Sequence, residues 1–132
     1  MIVATDFGVT PYWASQYDEV CALLRGAGWQ AGAIPSPLLL LQAGQASFVA
    51  RSPSGEVIGF ARILTDGLLV SYLSEIVVSP GWQGQGVGRA LIDACRMKHP
   101  TARLDLLSTI DAQRFYEHIG FTAKAGYRIW PA

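Results

Sequence analysis

The residues of this chain best suited to chemistry stand in one run, Val77-Val78-Ser79-Pro80-Gly81-Trp82-Gln83-Gly84-Gln85-Gly86-Val87-Gly88-Arg89-Ala90-Leu91. Strand-forming residues end at Ser79-Pro80, three glycines follow at alternate positions, and a helical apolar period begins at Val87. That order predicts a strand, a bare turn and a helix start. The first amides of a helix have no partner within it, and the aligned peptide dipoles favour negative charge there. Gly84, Gly86 and Gly88 leave the N–H groups of residues 84–89 uncovered, so the turn suits an anion, with pyrophosphate the natural guest. Arg89 adds a counter-charge. The competing reading is a glycine-rich turn without a ligand, which carries the entropic cost of the glycines for no return. Two other phosphate patterns fit poorly. Gly88-Arg89-Ala90 lacks the Gly-Lys-Ser/Thr ending of a nucleotide loop. Gly84-x-Gly86-x-Gly88 is not Gly-x-Gly-x-x-Gly, and Asp105 falls inside its strand rather than at a strand end.

Other reactive side chains form no constellation. His99 sits at a helix end, where a cation suits the dipole, and His118 is expected in solvent. Cys21 and Cys95 lie in apolar helical patterns and read as core. No Ser-His or Cys-His arrangement offers a covalent relay, and no metal-ligand spacing is present, so no metal is expected.

The elements that must hold the turn follow from periodicity. Residues 16–27 read as a helix stopped by Gly26 and Gly28, and residues 37–44 as a short helix with Pro37 in its first turn. Residues 46–51 and 56–64 form a hairpin around Ser52-Pro53-Ser54-Gly55, and residues 68–78 a central strand. A helix over 86–97 is followed by a strand over 102–107 and a helix over 111–119, capped by Thr109 or Asp111. Residues 121–130 are expected to supply one or two last strands, and residues 2–5 a short first one. The fold class is α/β (α+β), a mixed central sheet flanked by about four helices. Its first half is antiparallel and its second a βαβ crossover, with no linker dividing residues 1–132.

Composition narrows the function classes. Ten basic and ten acidic residues cancel, which argues against nucleic acid as a partner. Hydrophobic residues make up 51% and charged ones 15%, which excludes disorder. The longest aliphatic run, Leu38 to Leu41, is far short of a membrane span. Residues 1–6 lack the basic start and apolar stretch of an export signal, so the cytoplasm is the expected location. High apolar content at low charge points to a second copy as partner.

The run Gln83-Gly84-Gln85-Gly86-Val87-Gly88 resembles the Gln/Arg-x-x-Gly-x-Gly/Ala acyl-CoA signature of the GNAT superfamily of N-acyltransferases. Phe115-Tyr116-Glu117-His118-Ile119-Gly120-Phe121 is similar to its Phe-Tyr-x-x-x-Gly-Phe block. Gly59 to Asp66 and Thr109-Ile110-Asp111-Ala112 are similar to segments of a bacterial subgroup. The resemblance covers about residues 16–130. It implies an enzyme that carries an acyl group, most simply acetyl from acetyl-CoA, to a primary amine of a small molecule or peptide. Transfer would be direct, in a ternary complex. The alternative is a non-catalytic acyl-CoA-binding module on the same scaffold.

Residue by residue, the resemblance implies that pyrophosphate sits on the amides of Gln85, Gly86, Val87, Gly88 and Arg89, with Gly84 and Gln83 shaping the approach. The pantetheine arm pairs with the backbone of Ile76, Val77 and Val78, and strand N–H groups near Val77 polarise the thioester carbonyl. The acyl group lies between this strand and the one holding Leu106 and Leu107. Thr109 stands where the family often has an asparagine that holds pantetheine. Tyr116 points at the sulfur and supplies a proton as thiolate leaves; its competing role is core packing. Glu75 is the candidate base for the ammonium form of the acceptor, on one face with Leu73 and Val77, and its competing role is a salt-bridged strand carboxylate. Tyr72, Ser74 and Asp66 are candidates for shaping the acceptor pocket.

Overall fold

Three long stretches of β-branched and apolar residues pair in order of sequence and build the middle of the sheet. The computed structural model describes residues 6–131. Strands β1 (Gly8–Pro11), β2 (Gln45–Arg51), β3 (Val57–Thr65) and β4 (Val70–Val78) are antiparallel neighbours, and β5 (Arg103–Leu106) runs parallel to β4. Helix α1 (Tyr17–Gly26) covers one face, and α2 (Val87–Lys98) covers the other as the β4–β5 crossover. Helix α3 (Gln113–His118) follows β5. The expected mixed sheet with an antiparallel first half is the observed one.

Each face has its own core. Val20 and Leu24 of α1 pack on Val49, Phe60 and Val77. Val87, Leu91, Ile92 and Cys95 of α2 pack on Ala50, Ala61, Ile63 and Leu73. Gly59 lets α2 come this close: a Cβ there would lie 3.0 Å from Leu91 Cδ1 and 3.1 Å from Val87 Cγ1.

Several expectations are corrected. Residues 37–44 form no helix beyond a single 3-10 turn, Leu39–Leu41. Four consecutive leucines have no amphipathic period, and Leu40 alone of them is buried, while Leu38 and Leu41 face solvent. Residues 121–130 form no strand, which leaves β5 as a four-residue edge. Phe121 packs on Tyr116 instead, and Tyr127, Ile129 and Trp130 are exposed. The helix expected over 111–119 is a 3-10 turn, Ile110–Ala112, running into α3, and neither it nor α3 has a side-chain cap. Three α-helices and five 3-10 turns are present among the described residues, roughly in line with the expected count of about four helices. The strand expected over residues 2–5 lies outside the described residues, and β1 is found at Gly8–Pro11.

Candidate active site

Strand β4 leads into the glycine turn, and its edge is where the site opens. The β4–β5 pairing runs from Val70↔Arg103 to Leu73↔Leu106 and stops there. At the same level the β3–β4 register slips between Arg62 and Ile63, so that Ile63 faces Leu73 and Arg62 faces Glu75. Ser74 is the extra residue of this bulge, and the pairing with β5 ends beside it at Leu73. Beyond it no described strand pairs with the outer edge of β4, whose residues 75–78 keep β3 on the inner side.

Hydrogen-bond alternation decides which backbone groups reach that edge. Ser79 N donates to Ile58 O at 2.8 Å. Counting back by two turns the Val77 amide toward β3 and leaves those of Ile76 and Val78 on the open side. The open N–H groups near Val77 are thus those of the residues on either side of it. Val78 O is already taken by Gln83 Nε2 at 3.1 Å, and Gln85 Nε2 donates to Gly81 O at 3.1 Å. Both glutamines shape the turn from within.

The turn itself is bare. Gly84 and Gly86 have φ of 77° and 88°, the left-handed region that glycine enters freely. A Cβ built on either meets nothing within 4 Å. Gly86 is the N-cap of α2, no side chain caps the helix, and its first turn holds no acidic residue. The first bond of the helix is Ala90 N to Gly86 O at 3.0 Å, so the amides of Val87, Gly88 and Arg89 precede the helical ladder. Gln83 to Gly86 and Arg89 are exposed. Gly88 has another reason to be glycine: its Cβ would lie 3.1 Å from Phe115 Cζ, so the absent side chain lets α3 close on α2.

Tyr116 is carried by that contact. It is 9% exposed, with Phe115 and Phe121 edge-on at ring separations of 5.0 and 5.6 Å. Burial pushes its phenol above the usual tyrosine value, which keeps it protonated across neutral pH. The same ring belongs to the α2-side core, together with Val87 at the start of that helix. Thr109 is exposed just ahead of α3.

Glu75 is not a free carboxylate. Arg62 Nε donates to its Oε1 at 2.5 Å and Arg62 Nη2 to its Oε2 at 2.8 Å, while Ser74 Oγ donates to Oε2 at 2.5 Å. Both partners of the pair are buried. The bulge also overturns the expected alternation: Leu73 packs on the α2 side and Val77 on the α1 side, so Glu75 and Val77 do not share a face with Leu73. Ser74 is half-buried, and its Oγ also accepts from Arg62 Nη2 at 3.3 Å, so it belongs to the same network. Asp66 serves its own turn, its Oδ1 accepting from the amides of Leu68, Leu69 and Val70 at 2.8–3.1 Å. Those bonds hold its carboxyl below the usual range.

Arg62 was not read from the sequence as a site residue. The available signal was one basic and one acidic residue, each alone in an apolar central strand, which a buried pair explains. Cys95 is buried, and burial pushes its thiol up to about 12, so it is inert. A hollow of about 500 Å³ on the α1 side borders Val77, Val78 and Gln83. A larger one of about 810 Å³ lies between the end of α2, β5 and residues 119–124, away from the turn. Among the described residues no group of three or more His, Cys, Asp or Glu could hold a metal ion, and no helix is long and apolar enough to cross a membrane.

A bare turn at a helix start therefore lies at the end of a strand edge that no described strand occupies. The model of the acetyltransferase (GNAT) domain matches residues 43–123. The chain belongs to the GNAT acetyltransferase family. It is 31% identical over 80 residues to a glucosamine 6-phosphate N-acetyltransferase of Trypanosoma brucei brucei, covering 54% of each chain. It is 31% identical over 70 residues to a histone acetyltransferase, TAP1, of Glycine max, covering 51% of this chain and 30% of that protein. The chain spans about a third to a half of the length of the curated relatives it matches first. The fold is shared with AAC(6')-Iy, solved in complex with a bisubstrate analog, CoA-S-monomethyl-acetylneamine: TM-score 0.79, 18% identity, 97% of this chain and 99% of that one. The turn of residues 83–89, β4 and α3 all fall within the matched GNAT domain.

Proposed function

We propose that this protein transfers an acetyl group from acetyl-CoA to a primary amine of a small molecule or peptide, by direct attack with both substrates bound. The observation that carries the reading is the uncapped start of α2, reached along a β4 edge that no described strand occupies. The residues present fit coenzyme A. Glycines with open space above them line the turn, and free amides meet a diphosphate there. Ile76 and Val78 offer strand-type hydrogen bonds to an extended pantetheine arm. Gln85, Gly86, Val87, Gly88 and Arg89 would hold the pyrophosphate by their amides, Gln83 and Gly84 would set the turn, and Thr109 would contact the arm by its hydroxyl. When bound, acetyl-CoA supplies an activated acyl carbon and a thiolate leaving group.

The chain's own contributions are then four. The turn and the strand edge hold the donor in one orientation beside the acceptor, which replaces a bimolecular encounter by a local one. Of the two open amides, that of Val78, nearer the turn, is left to the arm, and that of Ile76, farther along β4, is the donor for a carbonyl oxygen that gains charge. Tyr116, kept protonated by burial, supplies the proton that a departing thiolate takes up. An amine arriving as ammonium must also lose a proton. Glu75 is our candidate for the sink, and with both its oxygens engaged the route to it runs through the Ser74 hydroxyl, which passes its own proton to Oε2 as it takes up that of the amine.

The proteins named above set the acceptors to try first: glucosamine 6-phosphate, neamine and a histone tail peptide. The reading includes a homodimer in a reducing cytoplasm. Exposed Tyr127, Ile129 and Trp130 support the first, and two buried free thiols the second. The deciding experiment is thiol release from acetyl-CoA with this panel, beside calorimetry of coenzyme A binding to the parent and to Gly86→Glu. Binding by the parent, its loss in the variant and thiol release with an amine are expected. Binding without release from any amine would favour the non-catalytic module instead, and absence of binding would overturn both.

A further inference from the structure

Arg62 does more than meet Glu75. Its Nη1 donates to Gln45 Oε1 at 3.1 Å, and the amide end of Gln45 turns the other way, where Nε2 donates to the carbonyls of Leu39 and Gln42, the latter at 3.0 Å. Gln45 therefore uses both ends of one amide group. Its oxygen is tied to a buried ion pair at the β4 bulge, and its nitrogen to the loop of residues 36–44. The remaining ties of that loop are few. Leu40 is pegged into the α1-side core with Phe60 and Val77, Ser36 Oγ accepts from Leu39 N at 3.1 Å, and Gly44 O accepts from Thr65 N at 2.9 Å. Leu38 and Leu41 stand 75% and 67% exposed on either side of the peg.

This loop lies on the α1 side of the sheet, the face on which Glu75 and Val77 sit. Two polar ties set its position relative to β3 and the bulge, the Gly44 O–Thr65 N bond at its end and the Gln45 clasp, and the clasp alone reaches the ion pair. A carboxamide is suited to that task because it carries an acceptor and a two-proton donor at a fixed separation. A rigid wall beside the reacting groups matters because misplacement of an acceptor by about 1 Å can cost ~100-fold in rate.

We propose that Gln45 is a positioning residue: it locks loop 36–44 to the Arg62–Glu75 pair and so fixes the wall that the amine acceptor meets. The inference rests on the acyltransfer reading above. Gln45 acts through the loop and through Arg62, and touches neither substrate.

Two substitutions separate the ends of the clasp. Gln45→Ala removes both. Gln45→Glu keeps an oxygen for Arg62 but sets a carboxylate against the carbonyls of Leu39 and Gln42. Hydrogen exchange of residues 36–44 is expected to quicken by ~10-fold or more in both variants, with β3 and β4 unchanged. Acetyl-CoA affinity by calorimetry should equal that of the parent. With glucosamine 6-phosphate and 2-phenylethylamine as acceptors, the amine KM should rise ~10-fold while the acetyl-CoA KM stays put. Unchanged exchange in both variants would overturn the proposal, as would acetyl-CoA and amine KM rising together, or Gln45→Glu behaving like the parent. Exchange and calorimetry need no turnover, so failure of the acyltransfer reading shows separately, as a parent protein that releases no thiol with any amine.

Discussion

Tyr116 and Glu75 occupy opposite electrostatic settings, and different consequences follow for each. Tyr116 is buried among aromatic edges, and desolvation alone raises its phenol. Tyr116→Phe keeps the ring and removes one O–H. Turnover is expected to fall ~100-fold, in the range of a lost general acid, with coenzyme A affinity unchanged by calorimetry. Equal turnover would assign the ring to packing. Glu75 has its charge matched in place by Arg62, both side chains being buried. Arg62→Met should destabilise the fold by ~3–5 kcal/mol in urea unfolding, because it strands a buried carboxylate. Adding Glu75→Leu to the same chain should recover most of that loss. A loss that persists in the double variant would mean that the pair contributes by its geometry rather than by charge compensation.

The decisive feature at the level of elements is the bulge in β4. One extra residue changes the phase of the strand, so side chains on either side of Ser74 serve different cores. The β4–β5 pairing ends beside it, at Leu73, and leaves backbone groups free for a ligand. A second coupling joins α2 to α3, where Gly88 admits the Phe115 ring. Gly88→Ala should push that ring outward, loosening Tyr116 with it. A loss of ~1–3 kcal/mol in urea unfolding is expected, as for other over-packed sites, together with a drop in turnover. Phe115→Leu in the same chain should restore both. If Gly88→Ala instead weakens only coenzyme A binding, the glycine serves the turn and not the packing.

The whole molecule should lose stability as pH rises through about 9. The Cys95 thiol, at 9.0 when unperturbed, is pushed up to about 12 by burial. Between those values the unfolded chain has released a proton that the folded chain retains, so stability falls with rising pH, by ~1.4 kcal/mol per unit for one group. Tyr116 adds to the fall above ~10, its phenol being raised in the same sense. Urea unfolding at pH 8, 9 and 10 should show this slope, and Cys95→Ala should remove the part that begins near 9. What the sequence determined by itself is local. Glycines at 84 and 86 take up positive φ, the amides of a helix start are free wherever the helix starts, and the pattern around Tyr116 sets a short helix before Gly120. Periodicity likewise placed β2, β3, β4, α1 and α2 to within a residue or two, because each has one apolar face to bury. Tertiary structure decided the rest. The bulge, the capture of Glu75 by Arg62 and the clasp at Gln45 each depend on residues more than ten positions apart meeting across a sheet. The irregular course of residues 121–131 was settled in the same way, since a strand forms only where a neighbour offers a matching edge, and alternation in one segment carries no information about its partner.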